Sequence, residues 1–370
     1  MTARTQAELH AIFEQFAVPG KLIEAAPYGS GYINDTYLGR YQENGQETRY
    51  IHQRINHLVF KQPEKLMENF ERVTRHARSK IVAAGGDPQR ETLNVVPARS
   101  GASFICTGQG EYWRTLVYIP GTITYDVCTT PQMAYSPAYA FGHFQKVLAD
   151  LPGERLHETI PDFHHTRKRF AAFAEAVQAD SAGRCGECRA EIDYILQREE
   201  YAGMLVDRLA SGELPERVAH NDTKLNNVLI DEASGKGICV IDLDTVMPGT
   251  LLYDFGDLIR MGTATAPEDE TDLSRVRLDL QLFNWLARGY LDAVRELLTP
   301  LEWELLIYGG LVITYEQAIR FLGDYLRGDV YYKIRHPHHN LDRGRNQIKM
   351  VQEMEALKGE MQAIIASLKR

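Results

Sequence analysis

The sequence predicts an α+β protein in which a small β-rich lobe precedes a larger helical one. Three observations carry the prediction. Between residues 22 and 119, short β-branched and aromatic runs alternate with Gly, Asn and Pro. Beyond Pro131, apolar residues recur at helical spacing over long stretches. The change of period falls at Tyr118-Ile119-Pro120-Gly121, a turn-forming sequence. The predicted lobes are therefore residues 1–118 and 119–370, with a hinge at about 117–121.

Residues 4 to 17 read as an amphipathic helix stopped by Pro19-Gly20. Strands follow around Leu22-Ile23, Tyr32 to Arg40, Tyr50 to Ile55, Leu93 to Val96, Ser103 to Thr107 and Tyr112 to Ile119, interrupted by one helix over Pro63 to Ala84. They suit an antiparallel sheet. Helices are predicted at 132–149, 189–210, 273–297, 301–326 and 345–369. Within that helical half, Arg217 to His220, Asn227 to Ile230 and Ile238 to Asp242 look like short strands around a polar centre.

Composition narrows the class. With 370 residues, 44% of them apolar and 25% charged, the chain can bury sizeable cores. Its net charge of −9 repels a phosphate backbone, which argues against nucleic acid as a partner. No apolar run approaches the roughly 18 residues that suggest a membrane span, and the N-terminus mixes acids into its apolar face, so a soluble, cytoplasmic protein is expected. Five cysteines make no disulfide framework, and Cys185-Gly-Glu-Cys188 lacks the second ligand pair of a zinc site. Adjacent histidines at His164-His165 and His338-His339 lack the i, i+4 spacing that aims two ligands at one metal.

The densest polar cluster lies between apolar flanks, from Ala219 to Ile230, and polar groups placed so are costly unless they meet ligands or one another. Twenty residues beyond Asp222, Asp242 leaves the end of an apolar strand. Phosphoryl transfer needs a carboxylate at the acceptor hydroxyl, a cation near the transferring group and oxygen ligands for Mg²⁺. Asp222, Lys224, Asn227 and Asp242 supply these, Asn227 and Asp242 being the hard oxygen donors that Mg²⁺ prefers. Asp244 is either a second metal ligand or a solvent-facing acid. Upstream, Tyr28 to Tyr37 reads as a strand, a glycine turn and a returning strand, in which Gly29 and Gly31 let backbone amides approach phosphates.

The order and spacing of His220, Asp222, Lys224, Asn227 and Asp242 resemble the catalytic loop and metal segment of the protein-kinase-like superfamily, in its aminoglycoside phosphotransferase branch. Asp254-Phe255-Gly256 spells the protein-kinase metal motif literally, yet it stands 32 residues past Asp222. The resemblance implies that Asp242 holds the metal, that Asp257 opens a short helix and supports the catalytic loop, and that Asp254 is a turn residue. It implies nucleotide contacts at Gly29, Gly31 and Asn34, with adenine at the carbonyl of Val117 and the amide of Ile119. The third strand offers no lysine, and Arg54 is the preferred substitute over Gln53. A catalytically dead pseudokinase is the reading this absence supports.

Over nearly the whole chain, the segments containing Tyr32, His52, Asp222, Asp242, Asp254, Arg320 and Tyr331 are similar to bacterial N-acetylhexosamine 1-kinases. That likeness implies transfer of the ATP γ-phosphate to the anomeric hydroxyl of N-acetylglucosamine or N-acetylgalactosamine. It implies sugar contacts at Tyr32, Asp222, Arg320 and Tyr331, with ATP, Mg²⁺ and a small sugar as the only partners; a monomer is compatible with them. The alternative acceptor is another small hydroxylated molecule such as an aminoglycoside. The bland role for Arg320 is an i, i+4 ion pair with Glu316.

Overall fold

The computed structural model of the chain describes residues 4–29 and 33–369. Gly31 and Tyr32, expected at the phosphates and the sugar, lie outside the described residues. Two compact units form. The first comprises Met1–Thr122, Asp150–Pro161 and Ile238–Met247, the second Ile123–Ala149, Asp162–Gly237 and Pro248–Arg370. The first break falls four residues beyond the predicted boundary, and the later segment 238–247 places Asp242 and Asp244 in the same unit as the sheet.

The first unit opens with α1 (Gln6–Phe13), whose N-terminus is closed by a reciprocal capping box between Thr5 and Glu8. Then come β1 (Lys21–Pro27), β2 (Asp35–Glu43), β3 (Gln46–Ile55), α2 (Pro63–Ala83), β4 (Val95–Val96), β5 (Ile105–Cys106) and β6 (Tyr112–Val117). The sheet is antiparallel in the order β1-β2-β3-β6-β4, with β5 also on β6. Strand alternation sorts β3 into two faces. His52 and Arg54 share one: the fully buried His52 stacks on Phe13 of α1 with ring centroids 3.6 Å apart. Gln53 lies on the other, opposite Arg114 in the β3–β6 register.

In the second unit the helices are α3 (Pro131–Leu148), α4 (Thr166–Ala179), α5 (Arg189–Leu196), α6 (Glu199–Gly203) and α7 (Val206–Ser211), following β7 (Thr122–Ile123) at the break. Next come β8 (Arg217–Ala219) and β9 (Val228–Asp231); β10 (Gly237–Val240) leads into the 238–247 segment of the first unit and β11 (Met247–Gly249) leads out of it, followed in the second unit by α8 (Leu251–Gly262), α9 (Leu280–Val294), α10 (Pro300–Leu326), α11 (His339–Ala356) and α12 (Lys358–Leu368). The helix expected over 189–210 is three short ones, and the C-terminal helix is two, broken at Leu357. The helix expected from 273 starts at Leu280, where the Asp279 side chain caps the amides of Gln281 and Leu282.

Helix α10 is the centre of this unit, packing against α4, α8 and α11. It is apolar over a length that matches a membrane span, but 83% of that window is buried inside the protein. Its closest approach is to α8, where Gly256 and Gly309 face each other. A Cβ on Gly256 would overlap the Gly309 carbonyl, and a Cβ on Gly309 would overlap that of Leu252, so both glycines permit the crossing. The glycine of the literal Asp254-Phe255-Gly256 string is thus a packing residue.

Candidate active site

The polar segment after β8 forms a loop around Asp222, and its shape has a visible cause. Asn221 adopts a left-handed conformation with φ of 64°, an unfavourable one for a residue with a Cβ. Asp254, in the first turn of α8 and completely buried, holds it there. One Asp254 carboxylate oxygen accepts the Asn221 amide at 2.7 Å, and the other accepts the His220 amide at 2.9 Å and a side-chain N–H of Gln145. The Asp254 carbonyl accepts the Thr223 hydroxyl at 2.7 Å. Burial pushes the Asp254 carboxyl up, and His220, Asn221 and Gln145 work against that rise.

Two expectations are corrected here. Asp254 is no turn residue but the anchor of the loop, and Asp257 does not serve it: Asp257 binds Arg260 at 2.9 Å. The reason is the helix start. Thr250 caps α8 through the Leu252 amide, so the helix begins well before Asp257 and carries Asp254 within it.

From the other side, the Asn221 carbonyl meets His164 Nε2 at 3.0 Å, while His164 Nδ1 meets the buried Glu316 carboxylate at 2.9 Å. Glu316 also accepts the Thr166 hydroxyl at 2.6 Å. Glu316 therefore orients His164, and the ion pair with Arg320 is not made; the hydrogen-bond partner of Arg320 is Gln317 Oε1, at 3.2 Å. His220 itself packs edge-on to Phe141, with centroids 5.3 Å apart.

This scaffold presents Asp222. Lys224 Nζ stands 3.0 Å from its carboxylate, and Asn227 Nδ2 donates to its carbonyl at 2.9 Å and its carboxylate at 3.3 Å. Burial alone would raise the Asp222 carboxyl, but Lys224, His220 and more distantly Arg260 hold it below the ordinary carboxylate value. It is an ionised acceptor at neutral pH. With the Asn227 amide nitrogen donating to Asp222, its oxygen is left as the acceptor atom of that side chain.

Within the first unit, Asp242 sits at the end of β10 in a left-handed conformation, φ 58°, starting the turn Leu243–Thr245. Asp244 is almost fully buried and engaged on both oxygens: Arg114 donates to one, and Asn34 Nδ2 donates to the other at 2.6 Å. It is not the solvent-facing acid, one of the two roles expected for it. The Asn34 oxygen accepts the Asn56 amide at 3.0 Å, so Asn34 links Asp244 to the chain just after β3. Arg114 also donates to Gln53 at 2.9 Å and covers the Phe70 ring at 4.6 Å.

The third-strand expectation changes accordingly. Arg54 forms an ion pair with Asp35 on the face that carries His52. The cation beside Gln53 is Arg114, from the neighbouring strand, a possibility visible only once β3 and β6 are in register. Gly29 has φ of 78° with open space at its Cβ direction, Val117 ends β6, and Ile119 lies buried two residues beyond. Tyr331 is exposed in the loop after α10, where Asp324 accepts the amides of Val330, Tyr331 and Tyr332 at 2.9–3.0 Å.

Comparison with known proteins bears on fold and family. Among solved structures, the chain is similar to an aminoglycoside phosphotransferase from Alicyclobacillus acidocaldarius, with TM-score 0.56, 14% identity and coverage of 100% of this chain and 97% of that one. A spectinomycin phosphotransferase in complex with ADP and spectinomycin gives TM-score 0.57, 11% identity and coverage of 97% and 100%. Choline kinase from Cryptosporidium parvum gives 0.54, 14%, 94% and 93%. At these identities the likeness is one of fold, a kinase-like α+β architecture. Residues 24–292 match the phosphotransferase enzyme family, and on that match the chain belongs to it.

Proposed function

We propose that this phosphotransferase is an ATP- and Mg²⁺-dependent N-acetylhexosamine 1-kinase, moving the γ-phosphate to the anomeric hydroxyl of N-acetylglucosamine or N-acetylgalactosamine. The observation that carries the reading is the braced Asp222 carboxylate with Lys224 and Asn227 upon it. A hydroxyl is a poor nucleophile until a carboxylate orients it and takes its proton. As the new O–P bond forms and the bond to ADP breaks, that proton passes to Asp222. Lys224 keeps Asp222 ionised and adds positive charge near the transferring group. The Asn227 oxygen and Asp242 carboxylate suit Mg²⁺, which neutralises phosphate charge when bound.

Gly29, Gly31, Asn34, Val117 and Ile119 are the proposed nucleotide contacts, and Asp244, bonded to Asn34, is proposed to support them or to serve the metal. Arg320, Tyr331 and Tyr32 are the proposed sugar contacts. The choice of sugar rests on the similarity of sequence segments, and the family equally accommodates an aminoglycoside acceptor. The test is ADP release with Mg²⁺-ATP across hexoses, N-acetylhexosamines and aminoglycosides, followed by phosphorus NMR of the product. A sugar 1-phosphate from an N-acetylhexosamine is expected. Turnover of aminoglycosides alone would replace the acceptor and keep the chemistry.

A further inference from the structure

Three helices of the second unit bring together three half-buried arginines that form no direct ion pair among the described residues, Arg169 on α4, Arg320 on α10 and Arg343 on α11, although the Glu316 charge acts on Arg169 and Arg320. The Arg320 and Arg343 guanidiniums stand 5.8 and 5.9 Å from the centre of the Tyr332 ring. Phe321 packs on that ring at 4.8 Å. Arg169 lies close enough that, after burial, the charge of Arg320 is the main influence lowering its own pKa. Each guanidinium has one hydrogen-bond acceptor among the described residues, and each acceptor is neutral. They are the Phe163 carbonyl for Arg169 at 3.2 Å, Gln317 for Arg320 at 3.2 Å and Asn340 for Arg343 at 3.5 Å.

The hydrogen bonds of the unit's buried carboxylates go elsewhere. Glu316 is bound by His164 and Thr166, Glu268 and one oxygen of Asp257 by Arg260, the second Asp257 oxygen having no partner among the described residues, and Asp324 by the 330–332 amides and Asn340. Meanwhile the Nε atoms of Arg169 and Arg343 and the Tyr332 hydroxyl are buried with no hydrogen-bond partner among the described residues. Buried donors of this kind are ordinarily satisfied. An array of guanidinium forks with spare donors fits a planar or tetrahedral oxyanion, which takes two N–H bonds from one fork.

We propose that this cluster is an oxyanion site for the acceptor: among N-acetylhexosamines it favours a derivative that carries a carboxylate or sulfate remote from its reacting hydroxyl, held by Arg169, Arg320 and Arg343 with the Tyr332 hydroxyl. The inference rests on the sugar-kinase reading for the ring and on the arginine cluster for the charge. Arg320 belongs to both, and Arg260, whose charge reaches Arg320 on one side and Asp222 on the other, links the cluster electrostatically to the proposed base. Such a site repels a cationic acceptor and selects an acidic sugar over its neutral parent.

Calorimetry of the full chain without nucleotide tests it, using N-acetylglucosamine, its 6-sulfate and N-acetylmuramic acid as probes. At low ionic strength one of the charged sugars should bind at least about tenfold more tightly than the neutral one, and the advantage should shrink with added salt. Which of the two wins distinguishes sulfate from carboxylate. The pair Arg169→Gln and Arg343→Gln should remove the preference, and Arg343→Lys should retain part of it. Inorganic sulfate should raise the Tm of the wild-type chain above that in chloride at equal ionic strength, and should not do so for the glutamine pair. Equal binding of charged and neutral sugars overturns the site, as does a preference that survives in a folded glutamine pair. Turnover of N-acetylglucosamine without any charge preference removes the oxyanion site and keeps the kinase reading; sulfate binding with no sugar turned over does the reverse.

Discussion

The buried Asp254 carboxylate accepts the backbone amide of Asn221 at 2.7 Å, bracing a left-handed residue directly before Asp222. The aspartate that copies a metal motif in letters is thus a support for the proposed base. Asp254→Asn turns an N–H₂ group toward backbone donors, so one of them loses its acceptor, at a cost of about 1–3 kcal/mol. Turnover should fall by roughly 10²-fold, since the base loses its placement. Mg²⁺ titration separates this from metal binding: added Mg²⁺ should rescue nothing. Recovery of rate at high Mg²⁺ would make Asp254 a ligand after all.

Asp222→Asn should lower kcat by about 10² or more while the KM for ATP stays nearly unchanged. Lys224 gives the pH counterpart. Because Lys224 and His220 hold the Asp222 carboxyl down, the base is ionised above that lowered value, and the acid limb of kcat/KM lies below the usual carboxylate range. Lys224→Met removes a stabilising positive charge, so the limb should move to higher pH. An unmoved limb would mean that another group controls it.

Much of this was legible in the sequence, and the parts that were not share a cause. The proposed catalytic loop is a local string, and Asp222, Lys224 and Asn227 are found together in it. The antiparallel sheet also follows from local period, strand by strand. What escaped depends on partners far apart in the chain. Asp254 reaches back to Asn221 across more than thirty residues, Glu316 reaches His164, and Arg114 reaches Asp244. No spacing encodes such pairs. Arg54 shows the same limit: alternation groups it with His52 but does not say that α1 covers that face.

Arg114 and Asp244 are each nearly fully buried, and their ion pair sits over Phe70. Removing one partner strands a charge, so Asp244→Leu should cost about 3–5 kcal/mol in urea unfolding. Arg114→Met together with Asp244→Leu should recover much of that, with a coupling of about 2 kcal/mol or more in the double-mutant cycle. Additive losses would show that the two groups act separately.

His52 sets an acid response in the first unit. It is fully buried, hydrogen-bonded to Tyr41 and Thr115 and stacked on Phe13, and burial pushes its pKa down to about 3 from 6.5. The unfolded chain therefore binds a proton at this residue as pH falls below 6.5 while the folded chain does not. Stability from this source is complete above that pH and is lost as pH falls toward the folded value. Between pH 6.5 and 4.5 the loss attributable to His52 should approach about 2–3 kcal/mol. His52→Gln should be less stable at neutral pH, because it forfeits the stacking, yet its stability should decline less steeply over that interval. Urea midpoints for both chains at matched pH give the comparison. Parallel slopes would show that His52 takes up its proton in the folded protein as readily as in the unfolded one.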